Sequence, residues 1–455
     1  MNDTIAAIAT PPVIGPIGIV RITGPDTAKI IDEIFKPTYG EKMSQSPSRK
    51  MILGTLLSTK NIPIDNCLCV YTKGPNTYTG DDMAEIQCHG SIAVLEETLR
   101  NCFKNGARMA GPGEFTKRAF LAGKLDLSAA EAVSDLISAQ TVEVAQNAAG
   151  QLSGVVGKKI SKIREEIIGI IAHFHALVDF PDEEIDPFVY ENAAQVLHVS
   201  AKELYNLAES YERGKIIRDG VDCAIIGKPN VGKSSILNAL SGKDKAIVTA
   251  IAGTTRDIIE EYIKVGPLVL KLSDTAGLHD TSDEVEKIGV ERAIANAANA
   301  KVILVVFDGN TDINDDDLMA IARTHGKKAI AIINKSDLPR KIAMGKVSDY
   351  FENIVEVSAK EGENIEKITE KVLEVVGLDG VSYNGEIITN ARQAAAITRA
   401  AERCEEAYFA AESGMTPDAV TMDAEGAMAM LSEITGQSIT EDIVNKIFSN
   451  FCVGK

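Results

Sequence analysis

The sequence predicts a multidomain chain of combined α/β and α+β class, and three observations carry that expectation. Residues 216–380 alternate apolar strands with helical stretches: VDCAII, KSSILNAL, LVLKLSD, KVILVVFD, KKAIAIIN and NIVEVS. That is the pattern of a mostly parallel sheet wrapped by helices. Residues 1–120 mix β-like runs with one helical stretch, the mark of an α+β unit. The flanks of the alternating block, 121–215 and about 388–450, are helical. The economical account is an N-terminal α+β domain (1–120), then a helical domain formed from two chain segments (121–215 and 382–455). An inserted P-loop-type α/β domain (216–381) interrupts it.

In the first block, IGIVRI, MILGTLL, CLCVYT and AEIQC read as strands, and SIAVLEETLRNCFKNG reads as a helix closed by Gly106. In the second, Ser128 and Glu131 read as a capping box ahead of AVSDLI. Ile160, Ile163, Ile167, Ile170, Phe174 and Leu177 then recur at alternating three and four spacing, one long apolar seam on a helix. The acid-rich DFPDEEIDP (179–187) ends that helix, and its acids read as a solvated loop, with a cation site as the alternative. The last block supplies the apolar partner the seam needs, and Ser438 with Glu441 reads as a second capping box before DIVNKIF.

Composition bounds what such a chain does. Its 455 residues allow about three domains at roughly 150 residues each. No stretch reaches about 18 consecutive apolar residues, so no membrane span is expected. The start, MNDTIAAIATPP, carries an acid where a secretion signal wants base, so the chain is expected to be cytoplasmic. The seven cysteines at 67, 69, 88, 102, 223, 404 and 452 are odd in number and lack paired CxxC spacing. Reduced, buried thiols are the expectation, not disulfides or zinc ligands. The net charge of −18 is spread as +1 over 1–120, −7 over 121–215, −6 over 216–381 and −6 over 382–455. Such a field does not attract nucleic acid by itself. An RNA partner would need a local basic patch or a second, basic protein.

The inserted block carries the chemistry. GKPNVGKS (227–234) fits G-x-x-x-x-G-K-[ST], in which glycines let backbone N–H groups close on phosphate oxygens at a helix N-terminus. Lys233 sets a charge near the β- and γ-phosphates, and the Ser234 hydroxyl suits Mg²⁺. DTAG (274–277) follows the strand LVLKLS, so Asp274 can hold Mg²⁺ through water. GTTRD (253–257) lies where a switch loop belongs, with Thr255 a second hydroxyl for the metal. NKSD (334–337) follows AIAII, and the Asp337 carboxylate can accept hydrogen bonds from guanine N1 and N2, a donor pair adenine lacks. SAK (358–360) ends the strand IVEV and would cover the base. Five such motifs in order, each after a strand, resemble a translation-factor-class GTPase domain. Ras-like proteins orient water with a glutamine directly after DTAG. Here that residue is Leu278, and Glu284 and Glu286 downstream are either exposed helix acids or its replacement.

The likeness then widens to the whole chain. DTIAAIATPP, IVRITGP, YTGDD with EIQCHG, PGEFTKRAFLAGKLDLSAAEAV and the terminal FCVGK, together with the GTPase insertion, resemble the MnmE (TrmE) family of tRNA-modification GTPases. The resemblance implies a folate-binding N-terminal domain that makes a homodimer, and a partner flavoprotein of MnmG type that holds FAD, in a heterotetramer or larger complex. It implies a potassium-dependent GTPase that helps install an aminomethyl or carboxymethylaminomethyl group at C5 of the tRNA wobble uridine. The one-carbon unit would come from 5,10-methylenetetrahydrofolate, with 5-formyltetrahydrofolate as its analogue.

Carried over residue by residue, the resemblance implies K⁺ ligands at Asn230, Thr249, Ile251 and Thr254, beside Mg²⁺ at Ser234 and Thr255. It implies a water-positioning glutamate at Glu286 and folate contacts at Arg21, Glu85, Lys124 and Lys455. The nucleotide contacts become Asn230, Val231, Gly232, Lys233, Ser234 and Ser235, with Thr249, Thr254 and Thr255. Asp274, Thr275, Ala276 and Gly277 follow, then Asn334, Lys335 and Asp337, and finally Ser358, Ala359 and Lys360. Cys452 is a candidate nucleophile on a tail that Gly454 would leave flexible, or an inert thiol beside Phe451. The loop after ATPP reads VIGPIGIV and departs from the family's arginine-containing form. Two other readings fit parts of the chain. One is a regulatory GTP-binding switch of the ribosome-assembly type without covalent chemistry; the other is a stand-alone folate enzyme.

Overall fold

The structure, a computed structural model, describes residues 3–179, 187–242, 260–273, 300–438, 440–449 and 451–454. Most of the acid-rich loop, the GTTRD and DTAG segments, Leu278, Glu284, Glu286 and Lys455 lie outside the described residues. The chain divides into two compact units. The first comprises 1–134, 151–201 and 399–455; the second comprises 135–150 and 202–398.

In the first unit, a seven-stranded sheet collects the β-like runs of the N-terminal block. Its strands are β1 (Ile5–Ile8), β2 (Gly15–Thr23), β3 (Phe35–Pro37), β4 (Met51–Leu57), β5 (Pro63–Thr72), β6 (Met83–Gly90) and β7 (Arg108–Met109), in the order β3-β4-β5-β6-β2-β1-β7. Alternation decides which residues face inward: Val20, Ile22, Cys69, Ile86 and Cys88 are buried on one side with α1 (Thr27–Ile34) and α2 (Ile92–Lys104). The thiols of that core are pushed up by burial, Cys67 to about 12 and Cys88 to about 11, which makes them poor nucleophiles. On the other side Leu53 and Leu68 stand opposite each other across β4 and β5 and are 53% and 36% exposed.

The helices α3 (Glu114–Leu121), α4 (Leu127–Ser138), α5 (Val142–Leu152), α6 (Val155–Asp179) and α7 (Pro187–Asp219) follow. The apolar seam of α6 buries Ile160, Ile163, Ile167, Ile170 and Phe174, while Leu177 is half-buried. Both proposed capping boxes are corrected. The N-cap of α4 is Asp126, whose Oδ1 accepts the Ala129 N–H at 2.7 Å. Ser128 lies inside the helix and donates its hydroxyl to that same carboxylate. A carboxylate one residue before the helix outcompetes a hydroxyl within it for the free N–H groups. At the chain's end the N-cap position is Thr440, with no side-chain bond, and Ser438 lies in the preceding turn.

The second unit holds a six-stranded sheet. Its strands are β8 (Val221–Ile226), β9 (Glu260–Val265), β10 (Leu268–Ser273), β11 (Val302–Asp308), β12 (Lys328–Asn334) and β13 (Ile354–Glu356), in the order β13-β12-β11-β8-β10-β9. Only the β9–β10 pair is antiparallel. Among its described residues after β8 are the helices α8 (Lys233–Ser241), α9 (Asp315–Ala322), α10 (Met344–Ser348) and α11 (Ile365–Val376). Three further helices, α12 (Ala391–Glu412), α13 (Pro417–Thr435) and α14 (Glu441–Phe448), close the chain; α13 packs along α6 in the first unit.

The sheet of the second unit recruits a helix from well upstream. Val144 of α5 is buried in the same core as Val221, Leu268, Leu304 and Ile387. Thr141 donates to the Pro267 carbonyl in the β9–β10 turn at 3.2 Å. Asn147, 1% exposed, grips residues 385–387, in the segment that follows α11. Its Nδ2 donates to the Ile387 carbonyl at 3.0 Å, and its Oδ1 accepts the N–H groups of Gly385 and Ile387 at 3.1 and 3.4 Å. The Ile388 N–H donates to Ser210, Arg218 donates to the Thr389 carbonyl, and the Thr389 hydroxyl donates to Asp135. Residues 385–389 are thus strapped to α5 and to the last turns of α4 and α7.

Candidate nucleotide site and N-terminal cleft

The loops carrying GKPNVGKS, NKSD and SAK follow β8, β12 and β13, three parallel strands, at the strand ends where α/β folds bind ligands. Gly232 takes φ +97°, and a Cβ there would stand 2.2 Å from Nδ2 of Asn334, so only glycine lets the two loops meet. Lys233 opens α8, and its ammonium donates to the carbonyls of Gly227 and Lys228, both at 2.9 Å. Val231 is buried; Ser234 is half-buried in the first turn of α8, and Ser235 is exposed. Asn230 is exposed at φ +63°.

Asn334 joins two of the loops. Its Nδ2 donates to the Val231 carbonyl at 2.8 Å, and its Oδ1 accepts the Ala359 N–H at 3.0 Å. The Ser358 hydroxyl, fully buried with its residue, donates to Asp337 Oδ1 at 2.6 Å. That bond, with the neighbouring lysines, holds the Asp337 carboxyl below its ordinary value, so it stands ready as an ionised double acceptor. Lys335 pairs with Asp308 at 2.6 Å, and exposed Lys360 pairs with Glu361. Burial works to raise the Asp308 carboxyl, but Lys335 and the Asn310 N–H outweigh it and hold it low. Thr249, Ile251, Thr254, Thr255, Asp274, Thr275, Ala276, Gly277 and Glu286 lie outside the described residues.

Sequence reasoning missed three charged residues around these loops. Asp308 ends β11, and Lys228 pairs with Asp317 at 2.9 Å. The one available signal was position: Asp308 sits at the C-terminal end of a parallel strand, beside the motif strands.

In the first unit, antiparallel register sets Arg21 of β2 opposite Glu85 of β6, and their side chains pair at 2.8 Å. The Arg21 guanidinium lies 5.6 Å from the Phe115 ring centroid and donates to the Gly454 carbonyl at 3.3 Å. Lys124 is exposed on a cleft of about 300 Å³ that Thr79, Asp81 and Arg118 also line; Arg21 and Glu85 are not among the lining residues.

The tail is the main correction. The expectation of a flexible FCVGK end fails: Val453 bridges Pro112, the Cys452 carbonyl accepts the Gly113 N–H, and Gly454 is buried. Gly454 takes φ +95°, and a Cβ there would lie 2.5 Å from the Ile8 carbonyl. The glycine serves close approach and not freedom. Cys452 is exposed on this docked segment, and Phe451 stacks against Phe448 at 5.1 Å.

Residues 4–124 match the family model described as GTP-binding protein TrmE N-terminus, and residues 127–452 match that of the MnmE helical domain. The chain belongs to the MnmE family. It is 41% identical to the tRNA modification GTPase MnmE of Clostridioides difficile (strain 630), covering 100% of both chains. It is 42% identical to the MnmE of Thermoanaerobacter pseudethanolicus, covering 100% of this chain and 99% of that one, and 40% identical to the MnmE of Lactobacillus johnsonii, covering 100% and 98%. The family is one of GTP hydrolases, and this MnmE-family chain is read as one. Among the described residues no helix is long and apolar enough to cross a membrane.

Proposed function

We propose that the chain hydrolyses GTP to drive modification of tRNA at C5 of the wobble uridine, together with a flavoprotein partner and a tetrahydrofolate one-carbon unit. The observation that carries this is the full-length likeness to tRNA modification GTPases, read with a guanine-selecting carboxylate that Ser358 already holds.

The chain's own groups would act as follows. Asp337 accepts the guanine N1 and N2 protons, and Asn334 keeps the base loop in register with the phosphate loop. Lys233 turns its ammonium from its loop carbonyls to the β- and γ-phosphates. Ser234, with Thr255, would hold Mg²⁺; a hydroxyl at the first turn of a helix fits a hard cation's oxygen preference. When bound, that ion offsets phosphate charge. Asn230 has no hydrogen bond among the described residues, so its side-chain oxygen is free to take K⁺ with the carbonyls around Thr249, Ile251 and Thr254. Glu286 would orient water.

In the N-terminal unit, the Glu85 carboxylate suits the N–H donors of a pterin ring, and Arg21, Lys124 and Lys455 suit carboxylates. The exposed Leu53–Leu68 pair on the open sheet face supports a homodimer formed through that face.

Two measurements check this reading. Wobble-uridine nucleosides are analysed by mass in tRNA from cells lacking the chain, complemented with the wild-type chain or with Arg21→Leu. The C5 group should vanish without the chain, return with wild type, and stay at least tenfold low with Arg21→Leu. Unchanged nucleosides in the deleted cells would defeat the enzyme reading and leave the regulatory switch. GTP turnover per chain, compared in potassium and sodium across protein concentration, should rise with concentration in potassium alone. Indifference to the ion would remove Asn230 from its role.

A further inference from the structure

The connection between β11 and α9 belongs to none of the nucleotide motifs, yet a carboxylate stands at each of its ends and each holds a lysine from a nucleotide loop. Asp308 ends β11 and pairs with Lys335 of NKSD. Asp317 stands in the first turn of α9 and pairs with Lys228, the second residue of the 227–234 loop.

The second pair is the more enclosed, with side chains 3% and 14% exposed. Oδ2 of Asp317 accepts the Lys228 ammonium at 2.9 Å and the Asn314 N–H at 3.1 Å, while Asn314 Oδ1 accepts the Asp317 N–H at 3.1 Å. This reciprocal cap fixes the carboxylate. Its Oδ1 has no hydrogen-bond partner among the described residues. Lys228 also donates to the Thr311 hydroxyl at 3.1 Å. The backbone of the same lysine faces the phosphate side: its carbonyl, with that of Gly227, accepts the Lys233 ammonium.

A buried ion pair with a half-satisfied carboxylate is weak evidence of a role in stability alone, because an apolar pair of similar volume often does as well. What it supplies is a single allowed position for the loop. We infer that Asp317 is a positioning residue for GTP binding. Through Lys228 it holds the 227 and 228 carbonyls, and so the resting place from which Lys233 reaches phosphate. The inference rests on the reading of 227–234 as the phosphate loop.

The test uses the full chain, with titration of a fluorescent GDP analogue, steady-state GTP turnover and thermal melting. Asp317→Asn keeps the cap's acceptor and removes the charge; Lys228→Met removes the other partner. Each should raise the nucleotide Kd and the KM for GTP about tenfold with kcat held within about twofold, the pattern of lost uniform binding. The apolar double variant Lys228→Met/Asp317→Leu should regain melting temperature while affinity stays down. Unchanged affinity in both single variants, or affinity returning together with melting temperature in the double variant, overturns the inference. Lys233→Ala serves as the separate check on the loop itself: if it binds nucleotide as wild type does, the phosphate-loop reading fails, whatever Asp317 does.

Discussion

Asp337→Asn is expected to weaken GDP and GTP binding by roughly 10²- to 10⁴-fold. The carboxylate accepts from two donors on guanine, and a hydrogen bond to a charged group contributes about 1.5–3 kcal/mol. Asparagine weakens one of these bonds to a neutral one and sets an amide donor against the other N–H, a combined loss of about 3–6 kcal/mol, which is that range of affinity. The substitution has a second consequence with opposite sign. An asparagine keeps one acceptor for N1–H but turns an amide donor toward position 2 of the ring. Xanthine carries an oxygen there, so the variant should bind xanthosine diphosphate more tightly than GDP. Calorimetric titration with both nucleotides decides it, and GDP affinity equal to wild type would show that Asp337 does not touch the base. The Ser358 hydroxyl can still donate to an amide oxygen, so the loop itself should stay folded.

Asn147→Ala should be the most damaging single change outside the nucleotide loops. Asn147 is buried and makes three bonds to backbone of the 385–387 strap. Truncation removes all three bonds, each worth about 1–3 kcal/mol where water cannot take its place. A net loss of about 3 kcal/mol is expected, because some of these groups will find water. Native-state hydrogen exchange gives the clean measurement, since a chain of two units does not unfold in one step. The Gly385 and Ile387 amides should lose roughly a hundredfold protection. Protection equal to wild type would mean that the strap is held by Ser210, Arg218 and Asp135 alone.

How far the sequence was legible follows from which signals are local. Periodicity is local, so the strands were readable: MILGTLL is β4 from end to end, and IGIVRI lies within β2. The α6 seam buries the residues its spacing selects, up to the half-buried Leu177 at the frayed side. Competition between neighbours is less legible. Ser128 fits a cap motif, but Asp126 is closer to the free N–H groups and carries charge. Long-range packing is hardly legible at all. Nothing in VEVAQNAAGQL says that Val144 joins a sheet more than 70 residues downstream, because small apolar residues fit many partners. Glycine is ambiguous for the same reason. Gly454 reads as slack, yet it is there because a carbonyl passes too close for a side chain. Lys228, Asp308 and Asp317 escaped notice because a lone charge has no period and no spacing; only the paired geometry gives it meaning.

The grip of Asn147, Ser210 and Arg218 on residues 385–389 has a mechanical corollary. A tether that is stapled down cannot serve as a pivot. Because residues 385–389 are bonded to α5 and α7 and α5 packs into the core of the six-stranded sheet, a movement of that sheet is expected to carry α5 and the end of α7 with it. Lengthening the chain at 383–390 with flexible residues should therefore not free the sheet; cutting the amide grip should.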